Sequence, residues 1–160
     1  MMWGGIDPGL DGACAIIGAP SVTRVEDCPV LKSGSGSRRE YDLLALEQWA
    51  QAFADVTDVY GGLVAIEDPP PIPRFGVVTA RSLGEAMGIW KALLADKRVR
   101  HTFVSPSKWK TDMGLRGKGK EASLKLARQL FPEAIPELAR KKDDGRAEAL
   151  LLAEWARKHG

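Results

Sequence analysis

The order of apolar and polar residues along the chain predicts an α/β fold. Residues 3–7, 12–17 and 21–27 are short segments rich in apolar and β-branched residues, and turn formers separate them. Residues 63–66 are a continuous apolar run, which is typical of a strand buried on both faces, and residues 99–104 predict another strand. Three strands in succession, followed by alternating helices and strands, indicate a mixed sheet.

Apolar residues at helical spacing predict four longer helices, at residues 40–56, 79–94, 120–131 and 145–158. A shorter helix should begin after Ser105, which can cap it, with Pro106 in its first position. Ala80, Gly84 and Gly88 fall on one line of the second longer helix, and such small residues predict close packing within the chain.

Length and composition indicate the class of protein to which the chain belongs. The chain has 160 residues, 44% hydrophobic and 28% charged, which predicts a single folded domain over residues 1–160. Its apolar runs are too short to cross a bilayer, and its start does not resemble a secretion signal. Two cysteines, Cys14 and Cys28, are too few for a disulfide scaffold, so we expect a reduced, cytoplasmic setting. Residues 33–37 predict an exposed loop, and residues 140–144 a charged linker.

Charge is unevenly distributed along the chain. The net charge is only +2, but residues 97–128 contain ten basic and two acidic residues, so this segment carries +8 and the remainder −6. Such a chain can present a basic surface beside an acidic pocket, an arrangement that suits a polyanion bound next to a metal site.

Four carboxylates are the candidate chemistry. Asp7 and Glu67 each end a predicted strand, where ligands of α/β sheets collect and where burying a carboxylate requires a partner. Asp144 and Glu148 are four residues apart, on one face of the last predicted helix. Carboxylate oxygens suit hard divalent cations, and two such ions can cleave a phosphodiester.

The motifs around these carboxylates resemble those of the RuvC-like Holliday junction resolvases. Gly5-Ile6-Asp7-Pro8-Gly9 with Gly12 is similar to their first motif, and Ala65-Ile66-Glu67 to their second acidic motif. Residues 144–150, Asp-Gly-Arg-Ala-Glu-Ala-Leu, are similar to their C-terminal acidic helix. The motifs follow in the expected order across nearly the whole chain.

The resemblance implies a ribonuclease H-like fold, with a mixed five-stranded sheet flanked by helices. It implies a homodimeric endonuclease that cuts four-way DNA junctions with two Mg²⁺ ions, for which Mn²⁺ should substitute. The implied metal ligands and catalytic residues are Asp7, Glu67, Asp144 and Glu148. Two departures from the family pattern are Glu148, where an Asp is usual, and a spacing one residue longer, so either Asp143 or Asp144 could be the ligand.

Candidate DNA contacts lie in two loops. The glycine-rich residues 114–119 resemble a phosphate-binding P-loop motif. Glu121, however, stands where that motif has Ser or Thr, and no predicted strand leads into these residues. They fit contacts to the DNA backbone better, through Arg116, Lys118 and Lys120. Arg74 and Phe75 could stack on an unpaired base at the junction. Trp109, by contrast, is expected in the core.

We therefore expect a metal-dependent, structure-selective DNA endonuclease that cleaves Holliday junctions in recombination and repair, with branched DNA as its partner and no membrane association. One alternative is a ribonuclease H-like nuclease that acts on other branched DNA or on structured RNA. The other is a non-catalytic DNA-binding protein of the same fold.

Overall fold

A computed structural model describes residues 1–18, 21–32, 39–70 and 76–160. The predicted loop at 33–37 lies outside the described residues, as do Arg74 and Phe75. In the described part of the chain, no helix is both long and apolar enough to span a membrane.

The centre of the structure is a five-stranded mixed sheet. Its strands are β1 (Met2–Asp7), β2 (Ala13–Gly18), β3 (Val22–Asp27), β6 (Val64–Glu67) and β7 (His101–Val104), and their order across the sheet is β3-β2-β1-β6-β7. β1, β2 and β3 pair antiparallel, whereas β6 runs parallel to β1 and β7 parallel to β6. The prediction of a mixed five-stranded sheet is confirmed.

In the described ranges, five α-helices flank this sheet: α1 (Leu43–Asp58), α2 (Val77–Asp96), α3 (Pro106–Asp112), α4 (Lys120–Leu130) and α5 (Asp144–His159). Asp42 caps α1, its side chain accepting a hydrogen bond from the Ala45 N–H. Ser105 caps α3 in the same way, with Pro106 in the first turn as the sequence predicts. Short 3₁₀ helices at Pro132–Ala134, Pro136–Leu138 and Lys141–Asp143 join α4 to α5.

Alternate residues of the central strands supply two hydrophobic cores, one on each face of the sheet. Ala13, Ala15 and Ala65 face the core that contains α5 and α4, while Ile6 and Ile66 face the core that contains α1 and α2. The sheet is therefore covered on both sides, which explains why the short strand β6 is apolar at every position before its last residue.

Three predictions of local structure are wrong. Glu40 does not begin a helix, because it belongs to a small hairpin of β4 (Val30–Lys32) and β5 (Arg39–Tyr41). The segment 140–144 is not a simple linker, since part of it is helical and Asp143 is buried. The line of small residues on α2 faces outward: a Cβ on Gly84 or Gly88 would meet nothing within 4 Å.

Candidate metal centre

Three carboxylates meet at one edge of the sheet. β1 and β6 are parallel neighbours with Ile6 opposite Ile66, so their last residues, Asp7 and Glu67, end side by side. Glu148 approaches from the second turn of α5. One carboxylate oxygen from each of these residues lies within 4.8 Å of the others. The topology therefore assembles a cluster from residues that are far apart in the sequence.

Two glycines allow α5 to lie close enough to supply Glu148. A Cβ on Gly5 in β1 would lie 1.9 Å from the carbonyl oxygen of Ala149. A Cβ on Gly145 would lie 2.5 Å from the carbonyl oxygen of Asp11, in the turn after β1. Both distances are shorter than a real contact, so the helix can rest directly on the strand and its turn only because these side chains are absent.

Asp144 and Asp143 have different surroundings. Asp144, at the start of α5, lines a cavity of about 460 Å³ together with Asp7 and Glu148. Asp143 is buried and accepts hydrogen bonds from the Arg140 guanidinium, the shortest at 2.6 Å. Burial would raise the pKa of Asp143, but these hydrogen bonds bring it below its ordinary value. Within the described structure, Asp144 is thus the better candidate for a ligand.

The electrostatics of the cluster disfavour negative charge without a cation. Burial, followed by the neighbouring charges of Glu67 and Glu148, raises the pKa of Asp7 well above its ordinary value. Burial also raises the pKa of Glu67, against the opposing effect of a hydrogen bond from Trp109. A divalent cation would remove both the repulsion and the cost of burial, so this donor set fits a hard metal ion.

Two lysines partly neutralise the carboxylates. Lys110 in α3 forms an ion pair with Glu148 at 2.8 Å, and Lys120 at the start of α4 forms one with Asp144 at 2.5 Å. Lys110 is not among the site residues predicted from the sequence. It follows the end of β7, a strand parallel to β6, so its place near the same sheet edge was open to prediction from the topology.

Two further contacts hold the carboxylates in place. The Trp109 indole N–H donates to Glu67 Oε2 at 2.7 Å, and the Ser123 hydroxyl of α4 donates to Glu148 Oε1 at 3.2 Å. The prediction that Trp109 is a core residue is confirmed, because its side chain is fully buried. Its bond to Glu67 spans 42 residues and could not be predicted from local pattern.

The basic residues form two separate groups. Arg116 and Lys118 are exposed in the loop between α3 and α4. In the sequence they lie between Lys110 and Lys120, which both line the cavity of the site. Lys97, Arg98 and Arg100 precede β7 and lie at the opposite end of the sheet, where Lys97 pairs with Glu47 at 2.5 Å. Only part of the basic segment therefore adjoins the carboxylates.

Comparison with known proteins finds similarity both in sequence and in fold. No family model matches the chain. It is 46% identical over 92 residues, 57% of its length, to the chloroplastic Holliday junction resolvase MOC1 of Chlamydomonas reinhardtii. These residues are 10% of that relative, so the chain spans only a small part of it.

Solved structures match over almost the whole chain. RuvC of Thermus thermophilus in complex with a Holliday junction substrate superposes with a TM-score of 0.61 and 20% identity, covering 99% of this chain and 96% of RuvC. A second structure of Thermus thermophilus RuvC gives 0.59, with 20% identity and coverage of 99% and 97%. The chain therefore has the ribonuclease H-like fold of RuvC, and the resemblance noted in its motifs extends to its three-dimensional structure.

Proposed function

We propose that this protein is a metal-dependent, structure-selective DNA endonuclease that cleaves four-way junctions. The observation that carries the proposal is the cluster of Asp7, Glu67 and Glu148 at the edge of a sheet with the RuvC fold. The sequence similarity to a Holliday junction resolvase supports the same conclusion.

In this proposal Asp7, Glu67, Asp144 and Glu148 hold two Mg²⁺ ions, for which Mn²⁺ substitutes. Four carboxylates facing two lysines leave these six side chains with a formal charge of −2, which favours cations. Bound divalent ions supply an activated water and stabilise charge on the leaving oxygen. Lys110 and Lys120, paired with Glu148 and Asp144 at the cavity, are close enough to contact a phosphate there.

Arg116 and Lys118 bind the DNA backbone in this proposal, because both are exposed in the loop that joins α3 to α4, between Lys110 and Lys120 of the cavity. Stacking of Phe75, with Arg74, on an unpaired base stays a prediction. The single-domain assignment for residues 1–160 and a cytoplasmic location also stay predictions, and the name of the relative places that protein in the chloroplast.

A homodimer is part of the proposal, since two symmetric cuts require two active sites. The outward line of Ala80, Gly84 and Gly88 on α2 is the candidate interface, because small exposed residues let two helices approach closely. Val77 and Val78 at the start of the same helix are 86% and 82% exposed, which extends this surface with apolar area.

The test is cleavage of a labelled synthetic four-way junction, with and without Mg²⁺, beside forks, linear duplex and RNA hybrids. We expect paired, Mg²⁺-dependent cuts in the four-way junction and far slower cutting of the duplex. Preferential cutting of forks or RNA would instead favour a different ribonuclease H-like nuclease. Tight junction binding without cutting under any metal condition would favour the non-catalytic alternative.

A further inference from the structure

The side chain of Trp109 connects the hydrophobic core to the metal centre. It lies in α3, is fully buried, and donates its indole N–H to Glu67 Oε2 at 2.7 Å. Indole nitrogen is a donor only, so this contact has one direction and favours an ionised carboxylate as its acceptor.

The position of this donor is fixed by packing. Trp109 belongs to the core cluster between the sheet, α4 and α5, which also contains Leu115, Leu124 and Leu150. Close-packed core side chains occupy single rotamers, so the N–H group is held at one point in space. Glu67 has one more rotatable bond than an aspartate, and a fixed donor restricts where its carboxylate can lie.

The bond from Trp109 engages only one of the two carboxylate oxygens of Glu67. Oε2 accepts from Trp109, whereas Oε1 accepts no hydrogen bond within the described part of the chain. One oxygen is anchored and the other is left for a cation, and a Glu67 carboxylate oxygen lies in the cluster with Asp7 and Glu148. Partners of this kind in the outer shell of metal sites orient the ligands and raise metal affinity.

We infer that Trp109 is a positioning residue of the metal centre, whose indole N–H holds Glu67 in the orientation that binds the cation. The inference rests on the metal assignment of the proposed function. It adds a role for a core residue that touches neither the metal nor the DNA in the proposed mechanism.

Trp155 provides a matched control. It lies in the same core cluster, is 7% exposed, and donates its own indole N–H to a carboxylate, Asp112 Oδ2, at 2.8 Å. Asp112 is not a member of the three-carboxylate cluster. A change from Trp to Phe at either position therefore removes a buried indole and one bond to a carboxylate, but only at Trp109 does that carboxylate belong to the site.

The first experiment measures Mn²⁺ affinity without DNA, from the electron paramagnetic resonance of free Mn²⁺, with folding checked by circular dichroism. We expect Trp109→Phe to weaken Mn²⁺ binding by about 10–100-fold, and Trp155→Phe to change it less than twofold. Unchanged affinity in folded Trp109→Phe, or equal weakening in both variants, would overturn the inference.

A second measurement needs no change at residue 109. In protein labelled with ¹⁵N at the indole nitrogens, the Trp109 resonance should shift as Mg²⁺ is added, with the same midpoint as binding, while that of Trp155 stays in place. A Trp109 resonance that is unmoved at saturating Mg²⁺ would overturn the inference even if Trp109→Phe fails to fold.

The inference and the proposed function fail in different ways. If Trp109→Phe weakens Mn²⁺ binding but the wild-type protein cuts no branched substrate, the nuclease proposal falls and the role of Trp109 stands. If the wild-type protein cuts junctions and Trp109→Phe binds Mn²⁺ normally, the nuclease proposal stands and the positioning role is wrong.

Discussion

Asp7 and Glu67 combine two properties at single residues: each ends a buried strand, and each has a pKa raised chiefly by burial. Carboxylates with a pKa raised by burial are often functional, because burying them lowers the stability of the protein and a function accounts for their presence. Their surroundings favour metal binding over any packing role.

We predict that Asp7→Asn and Glu67→Gln each reduce cleavage at least 1000-fold, about 4 kcal/mol of barrier, with junction affinity nearly unchanged. The reason is that, in the proposed function, these carboxylates hold metal while the basic loop holds phosphate. Single-turnover cutting and gel-shift titration give the two quantities. Asp68→Asn, next in sequence to Glu67 and exposed, is the control and should cut normally. Parallel loss of binding in folded protein would contradict the assignment.

The raised pKa of Asp7 has a consequence for stability. Its folded form holds a proton more tightly than its unfolded form, so metal-free protein loses stability as pH rises from the ordinary aspartate value of 3.8 to the raised pKa. Above the raised pKa the cost is complete; below pH 3.8 it is absent.

Asp7→Asn should therefore raise the melting temperature of metal-free protein at neutral pH, by roughly 2–4 °C if the gain is 1 kcal/mol. The difference should vanish at a pH below the ordinary aspartate value. Added Mg²⁺ should stabilise the wild-type protein and not the variant. Calorimetry across pH measures all three effects, and a variant less stable than the metal-free wild type at neutral pH would count against the electrostatic argument.

At the scale of elements, the starting point of α5 determines which acidic residues lie at the site. The helix begins at Asp144, so Asp144 and Glu148 share a face, and Asp143 precedes the first turn and pairs with Arg140. The last α-helix was predicted within one residue at each end, because its apolar period is long and regular.

We predict that Glu148→Gln and Asp144→Asn each lower single-turnover cleavage at saturating Mg²⁺ at least 100-fold, about 2.7 kcal/mol. Asp143→Asn should cost less than tenfold in cleavage and instead reduce stability by about 1–2 kcal/mol, through its weakened bond to Arg140. An inactive Asp143→Asn beside an active Asp144→Asn would mean that the helix presents a different set of residues to the metal.

Other elements show where sequence prediction fails. The hairpin of β4 and β5 was missed because three-residue strands offer too few positions to show a period, and Glu40 was assigned to the following helix. The small residues of α2 were assigned to intrachain packing, because spacing identifies a face of a helix but not what covers it. Lys110 and the Trp109 bond were missed because both depend on contacts between distant parts of the chain.

At the scale of the whole molecule, the exposed face of α2 bears on assembly. We predict that Gly88→Glu converts the proposed dimer to a monomer and uncouples the two cuts, since in that dimer a charge there would be buried against its symmetry mate. The monomer fold should tolerate it, because a Cβ at Gly88 meets nothing within 4 Å. Light scattering with size exclusion gives the mass, and Gln48→Glu on the exposed part of α1 is the charge-matched control. A Gly88→Glu dimer would place the interface elsewhere.

The proposed function places the DNA footprint at the end of the sheet that carries the carboxylates. Neutralising about 4–6 phosphates gives a slope of log affinity against log salt of about −4 to −5. In a dimer each lysine occurs twice, so Lys118→Ala should make the slope shallower by about 1.8, whereas a footprint of one chain predicts about 0.9. Arg100→Ala removes an equal charge at the opposite end and should leave the slope unchanged. Gel-shift titrations on a four-way junction between low and physiological salt measure all three slopes. Equal effects of Lys118→Ala and Arg100→Ala would mean that net charge, and not the loop beside the carboxylates, determines how this protein holds DNA.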